Sequence, residues 1–198
     1  MAALALALCV LYAVVLFGVR AVVQRHQTGS TGWVAGATPA EHLANAVFVV
    51  AWLLDLLGPA LVLAGLVSPV PALDGAAAHA GGIAVFGLSL GLGVLAQRTM
   101  GSAWRTGIDP GHPTHLVTHD LFAVVRNPVY TTMLAASLAV ALLVPTVVSP
   151  FALATCLIAL EIQTRVVEEP HLRRVHGERY RRYARRVGRF LPGIGRGP

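Results

Sequence analysis

RNPVYTTMLAASLAVALLVPTVVSPFALATCLIALEIQTRVVEEP, residues 126–170, is the stretch whose reading decides the fold. Nothing charged stands between Arg126 and Glu161, and the apolar run breaks once, from Val144-Pro145 to Ser149-Pro150. A bilayer core about 30 Å thick needs roughly 20 residues of helix. Residues 129–167 therefore read as a helical hairpin whose two ends, marked by Arg126 and Arg165, return to the same side. The first leg spans about 20 residues. The second, 151–167, is barely long enough at about 1.5 Å per residue. It crosses only if Glu161, Gln163, Thr164 and Arg165 sit near the membrane boundary or in a protein-lined cavity.

Three further apolar runs precede the hairpin, at residues 2–23, 42–67 and 76–96. The first has no basic residue ahead of it and has Arg20 and Arg25 behind it, the reverse of a cleaved signal peptide. The third carries Gly87, Gly91 and Gly93, small residues that let helices approach closely. Five spans result. With 56% hydrophobic and 12% charged residues, the chain has about half the charge of a soluble protein, and an integral membrane protein is expected. Two regions are expected: three N-terminal spans over 1–100, and a chemistry-bearing part over 101–198.

All fifteen basic residues are arginines. Each can be placed on one side of a five-span chain, which by the positive-inside rule is the cytoplasmic side, leaving the N-terminus outside. The formal charge of +6 then reflects loops beside anionic lipid rather than nucleic acid. The tail repeats Leu172, Val175, Tyr180, Tyr183, Val187 and Phe190 among arginines, the pattern of an amphipathic helix or helix pair on the inner surface, facing anionic headgroups. Cys9 and Cys156 both fall in apolar runs, so neither a disulfide framework nor a thiolate metal site is expected.

Two polar stretches fall on the arginine side, 115–130 and 165–192. Pro128 suits a first helical position, and Asn127 ahead of it is a capping residue type. A helix N-terminus favours an anionic group such as a carboxylate. Glu168 and Glu169 close the hairpin's second leg on the same side, where a carboxylate can hold an ammonium group. A zwitterionic amino-acid moiety matches the two together. Phe122 and Tyr130 offer flat faces for a heteroaromatic ring.

Leu116-Val117-Thr118, Phe122, Arg126-Asn127-Pro128 and Tyr130 form one gapped motif. Arg165, Glu168-Glu169, Leu172, Gly177, Tyr180, Tyr183, Val187, Arg189 and Pro192 form a second. In this order, with a hairpin between them, they resemble the isoprenylcysteine carboxyl methyltransferase and phospholipid methyltransferase superfamily. The likeness covers roughly residues 101–192. It implies an all-α membrane enzyme that uses S-adenosylmethionine, leaves S-adenosylhomocysteine, and admits a lipophilic acceptor from the bilayer. Carried over by position, cofactor contacts fall on His115, Leu116, Val117, Phe122, Asn127, Pro128, Val129, Tyr130 and Glu168. Arg126 would brace the loop, and Arg165 lies near the arginine that orients the acceptor. Asn127 stands where the family has histidine, and Phe122 where it has tyrosine. The implied acceptor is foremost an isoprenylcysteine-like carboxylate. A phospholipid amine, or sterol or steroid reduction with NADPH, are the alternative enzyme readings, and a membrane adaptor with a basic tail is the non-enzymatic one.

Plainer readings stand beside these. Arg126 alone reads as a snorkelling anchor, and Glu168-Glu169 as a solvated helix end paired with Arg165 or Arg173. His112, His115 and His119 lie in a loop without a fixed helix face or a carboxylate shell, so no metal site is expected. Asp55 within the second span is costly in lipid and marks function by default. Its partner is either an inner polar residue or Trp52 of a second copy.

Overall fold

The computed structural model describes residues 1–34, 38–107 and 115–197; His112 lies outside them. Among the described residues every regular element is helical, with one isolated parallel bridge between Val125 and Gly188. The helices are α1 (Ala2–Thr28), α2 (Pro39–Leu63), α3 (Ala76–Met100), α4 (Leu121–Val124), α5 (Pro128–Leu143), α6 (Ser149–Ile162) and α7 (Glu169–Arg186). A wide π turn, Gln163–Glu168, joins α6 to α7 without a break.

Four helical stretches are long and apolar enough to cross a membrane, namely α1, α2, Ala76–Ala103 and Ser149–Arg186. The hairpin's first leg is shorter than expected, at 16 residues. Val144, which precedes Pro145, leaves the helix at φ −141°, ψ 76°, because proline's ring disfavours helical backbone one residue earlier. α2 starts earlier than the apolar run does. Thr38 caps it, receiving the Glu41 amide at 3.2 Å while its own amide donates to the Glu41 carboxylate at 3.0 Å, and Pro39 sits at the first helical position.

α3 lies along α5 and α2 along α6, with α1 against both α2 and α5. At one end of this bundle are the start of α1 and the turns after α2 and α5, where Asp74 meets His79 at 2.7 Å. The arginines gather at the other end. There Arg20 is buried, donating to the Gln24 carboxamide at 2.7 Å and to the Gly101 carbonyl, with its guanidinium 5.1 Å from the centre of the Trp104 ring.

The buried stripe of α3 is Gly82, Phe86, Ser89, Gly93 and Ala96-Gln97, spaced by three and four residues. Of the glycines expected to permit close approach, only Gly93 does so. A Cβ there would lie 2.7 Å from Leu16 Cδ1, whereas Gly87 and Gly91 have nothing within 4 Å and face outward. Gly82 is the second contact glycine, with Leu143 Cγ at 2.8 Å and the Ala139 carbonyl at 3.1 Å from its imagined Cβ. Leu16 and Leu143 are fully buried and cannot swing away. Gly82→Ala and Gly93→Ala are therefore expected to destabilise by about 1–3 kcal/mol through overpacking. Gly87→Ala and Gly91→Ala should be neutral or slightly stabilising, as exposed helical glycines are. Thermal unfolding of the four variants in one detergent checks the contrast, and equal behaviour would refute this packing.

The tail departs from a helix lying free on the membrane surface. Gly177, at φ 52°, ψ −129°, kinks α7, and beyond it Tyr180 and Ala184 bury against Leu116, with Leu172 and Tyr183 beside them. Phe190 enters the main core. Much of the tail's apolar face is thus packed on protein, and the arginines of α7 are exposed while Arg189 beyond it is buried.

Candidate active site

A cavity of about 720 Å³ opens at the arginine-rich end and runs down between α2 and α5. Its upper part is polar, bounded by His115, Asn127, Tyr130, Gln163, Glu168 and His171; its depth is apolar, with Phe48, Trp52, Phe86 and Met133. All nine residues to which the motifs assign cofactor contacts line it: His115, Leu116, Val117, Phe122, Asn127, Pro128, Val129, Tyr130 and Glu168. Arg126 also borders it. Arg165 does not; it points away, exposed, and pairs with Glu161.

The π turn explains why. On a regular α-helix, residues three apart share a face, which would set Arg165 beside Glu168. The wider turn across Gln163–Glu168 rotates the two apart, as single π turns at functional sites do. Glu168 then faces inward. Its carboxylate accepts from the Tyr130 hydroxyl and from Gln163 Nε2 at 3.2 Å, and among the described residues no arginine or histidine pairs with it.

Glu169, one position on, has the opposite surroundings. Its Oε1 accepts from Arg126 Nη2 and from Arg189 Nε, both at 2.8 Å, and Oε2 lies 3.3 Å from Arg173. The two glutamates that stand together in the sequence do different work. Glu168 presents an uncompensated carboxylate to the cavity, and Glu169 locks the wall.

Arg126 is that wall's centre and no snorkelling anchor, being 5% exposed. Besides Glu169 it donates to the carbonyls of Ala184 at 2.9 Å, Gly195 at 3.0 Å and Val187. The backbone follows the same path. Arg126 N donates to the Gly188 carbonyl at 2.8 Å, Asn127 N to the Arg189 carbonyl at 3.1 Å, and Thr131 Oγ1 to the Phe190 carbonyl at 2.8 Å. The C-terminal segment is thereby zipped along the start of α5, and Tyr183 fastens the roof by donating to the Phe122 carbonyl at 2.6 Å.

Asn127 does not cap α5 as its residue type led us to expect. Its side chain donates to the Arg189 carbonyl at 3.3 Å, and no side chain caps the helix. An uncapped N-terminus bordering a cavity is a place for an anionic group. His171, at the upper rim, has its pKa lowered by burial and then by Arg174. His119 is exposed and lies 3.9 Å from Asp120.

Sequence reading missed Gln163, His171 and the aromatic residues contributed by α1 and α2, among them Tyr12, Phe48 and Trp52. Both expected regions, 1–100 and 101–198, supply lining. Gln163 had a signal, a polar side chain near the end of an apolar helix; Phe48 and Trp52 had none, being indistinguishable from lipid-facing residues until α2 is placed.

Fold and site together define an integral membrane protein with a cavity that is polar at its basic end and apolar in its depth. The phospholipid methyltransferase family model matches residues 77–179, and the chain belongs to that family. A solved structure of the eukaryotic intramembrane Ras methyltransferase, isoprenylcysteine carboxyl methyltransferase, superposes with a TM-score of 0.61 at 23% identity, over 90% of this chain. The alignment spans 61% of that longer protein, so the likeness is one of fold. No curated protein matches the chain.

Proposed function

We propose that this protein transfers a methyl group from S-adenosylmethionine to a lipophilic acceptor drawn from the bilayer, foremost a carboxylate of the isoprenylcysteine type. The observation that carries the reading is Glu168. A carboxylate at the wall of a largely apolar cavity, given two neutral donors and, among the described residues, no cation, is costly as it stands. It becomes favourable when a ligand brings positive charge.

The residues fit the cofactor. The cavity lies within the roughly 300–1,000 Å³ of small-molecule sites. Glu168 would hold the amino group, and the open start of α5, at Asn127, Pro128, Val129 and Tyr130, would face the carboxylate. Phe122 offers a flat apolar surface to the base, and His115, Leu116 and Val117 close the rim. When bound, S-adenosylmethionine supplies an electrophilic methyl group on a sulfonium and leaves as S-adenosylhomocysteine.

The protein's part is to position and desolvate. Arg126 and Glu169 hold the C-terminal segment over the site, which excludes water and sharpens the charge contacts inside. A carboxylate acceptor requires no proton to be moved, only alignment; His171 is at the rim if an amine acceptor must lose one. The apolar depth, reached beside Phe48 and Trp52, suits a lipid chain. Arg165, on the outer face, has no contact with the cavity through which to orient an acceptor.

In the membrane we place the arginine-rich end in the cytosol and the N-terminus outside, with α5 as a fifth, short span. The outward arginines of α7 then meet anionic headgroups. The cytosol supplies S-adenosylmethionine directly to the mouth. A phospholipid amine remains the second acceptor class, favoured by the family match.

Equilibrium binding of radiolabelled S-adenosylmethionine to the purified protein in nanodiscs tests the donor. Methyl transfer to isoprenylated thiol carboxylates, fatty acids and phosphatidylethanolamine tests the acceptor. We expect saturable binding, competed by S-adenosylhomocysteine, and turnover on carboxylates. Absence of binding would overturn the reading, and turnover on phosphatidylethanolamine alone would replace the acceptor.

A further inference from the structure

Below the polar mouth the cavity holds one more feature that cofactor binding leaves unused. Asp55 of α2 lines the apolar depth and accepts a hydrogen bond from Ser137 Oγ of α5 at 2.9 Å. Ser137 is its only hydrogen-bond partner among the described residues, and it uses one carboxylate oxygen. The other oxygen has no partner, yet it is not among the sealed, unsatisfied polar atoms of the protein. Because Asp55 lines the cavity, this accessible oxygen can meet a ligand held there. Its immediate surroundings, Cys9 and Cys156 among them, bring no cation.

A carboxylate at this depth is expensive in a bilayer, and such residues serve a ligand or pathway. A purely hydrocarbon occupant would leave the open oxygen without a partner and so be disfavoured; one hydrogen-bond donor at the right distance satisfies it. Tyr130 and Ser137 lie on one helix seven residues apart, so the Asp55 level is about 10 Å deeper than the Tyr130–Glu168 level, at about 1.5 Å per residue.

We propose that Asp55, held by Ser137, is a specificity-determining site that binds a hydroxyl or amine carried by the lipophilic acceptor, about 10 Å from the atom that is methylated. The proposal rests on the methyltransferase reading. It ranks, among such lipophilic carboxylates, those whose chain carries a hydroxyl or amine a short apolar stretch away from the carboxylate above those with an unmodified prenyl or acyl chain.

The test uses the full chain in nanodiscs and two carboxylates, an eight-carbon fatty acid and its ω-hydroxylated counterpart, with binding read by titration calorimetry. The ω-hydroxyl of such a chain stands about as far from the carboxylate as Asp55 stands below Tyr130. A hydrogen bond to a charged group makes the hydroxylated probe bind about 10- to 100-fold more tightly to the wild type. Asp55→Ala erases that preference. Ser137→Ala, which leaves the carboxylate in place, keeps it. A merely structural Asp55–Ser137 contact would instead lower stability in both variants and leave the ratio between probes unchanged. Equal or undetectable binding of the two probes by the wild type, or a preference that survives Asp55→Ala, overturns the proposal. S-adenosylmethionine binding, measured on the same preparations, separates the failures. Intact cofactor binding without a hydroxyl preference counts against Asp55 alone, and lost cofactor binding by the wild type overturns the underlying function as well.

Discussion

Glu168→Ala is expected to weaken S-adenosylmethionine binding by at least about 30-fold. Truncating one partner of a desolvated, hydrogen-bonded charge pair costs about 2–5 kcal/mol, and about 1.4 kcal/mol is a factor of ten. Glu168→Gln keeps the shape and the contacts with Tyr130 and Gln163 but removes the charge, so most of the loss should remain. Tyr130→Phe removes one donor to the carboxylate and should cost less, since the charge stays. The unliganded protein should respond in the opposite sense. Here Glu168 is a carboxylate without a cation among the described residues, so Glu168→Gln should leave thermal stability unchanged or raise it, as residues kept for function at the expense of stability do. Direct binding and thermal unfolding on the same protein read both. A Glu168→Gln variant with full affinity, or one that unfolds early, would show that this residue is structural.

Glu169→Ala should behave in the reverse way. Glu169 and Arg126 are both about 95% buried, and removing one member of such a pair leaves the other charged and dry, at about 3–5 kcal/mol. The midpoint of thermal unfolding should fall on the order of 10 °C for a chain of this length. Arg126→Lys should not rescue. One ammonium cannot reproduce a planar fork that meets a carboxylate and the carbonyls of Ala184, Val187 and Gly195 together. Because the same arginine holds the C-terminal segment along α5, protease sensitivity near residues 187–196 should rise with the loss of stability, and cofactor affinity should fall as a consequence. A stable Glu169→Ala protein with an intact tail would contradict the lock described here.

These two neighbours also show where sequence reasoning ends. Adjacent helical residues point about 100° apart, so Glu168-Glu169 was certain to present its carboxylates differently. Which one faced the cavity depended on the rotation of the whole helix. The motif resemblance assigns Glu168 to the cofactor, but the rotation that brings it to the cavity is set by the π turn at Gln163–Glu168, which no local residue pattern announces. The same turn moved Arg165 to the outer face, against the expectation from its place in the motif. Asn127 illustrates a second limit. Its residue type and its position before Pro128 are those of a cap, but the carbonyl of Arg189, distant in sequence, took the side chain.

What the amino-acid sequence determined by itself was everything local and periodic. The apolar runs, the hairpin and its proline-bounded turn, and the segregation of arginine to one end followed from composition, spacing and the membrane's intolerance of unpaired polar groups, while the family resemblance of the two gapped motifs named nine residues that line one cavity. What only the tertiary structure decided was which faces meet. Gly82, with Gly93, became a contact glycine while Gly87 and Gly91 did not, Asp55 met Ser137, and the tail's aromatic residues closed over the site. In a membrane span nearly every position is apolar, so hydrophobicity cannot mark the buried face as it does in water. That assignment rests on close packing and on a few polar contacts between residues far apart in the chain.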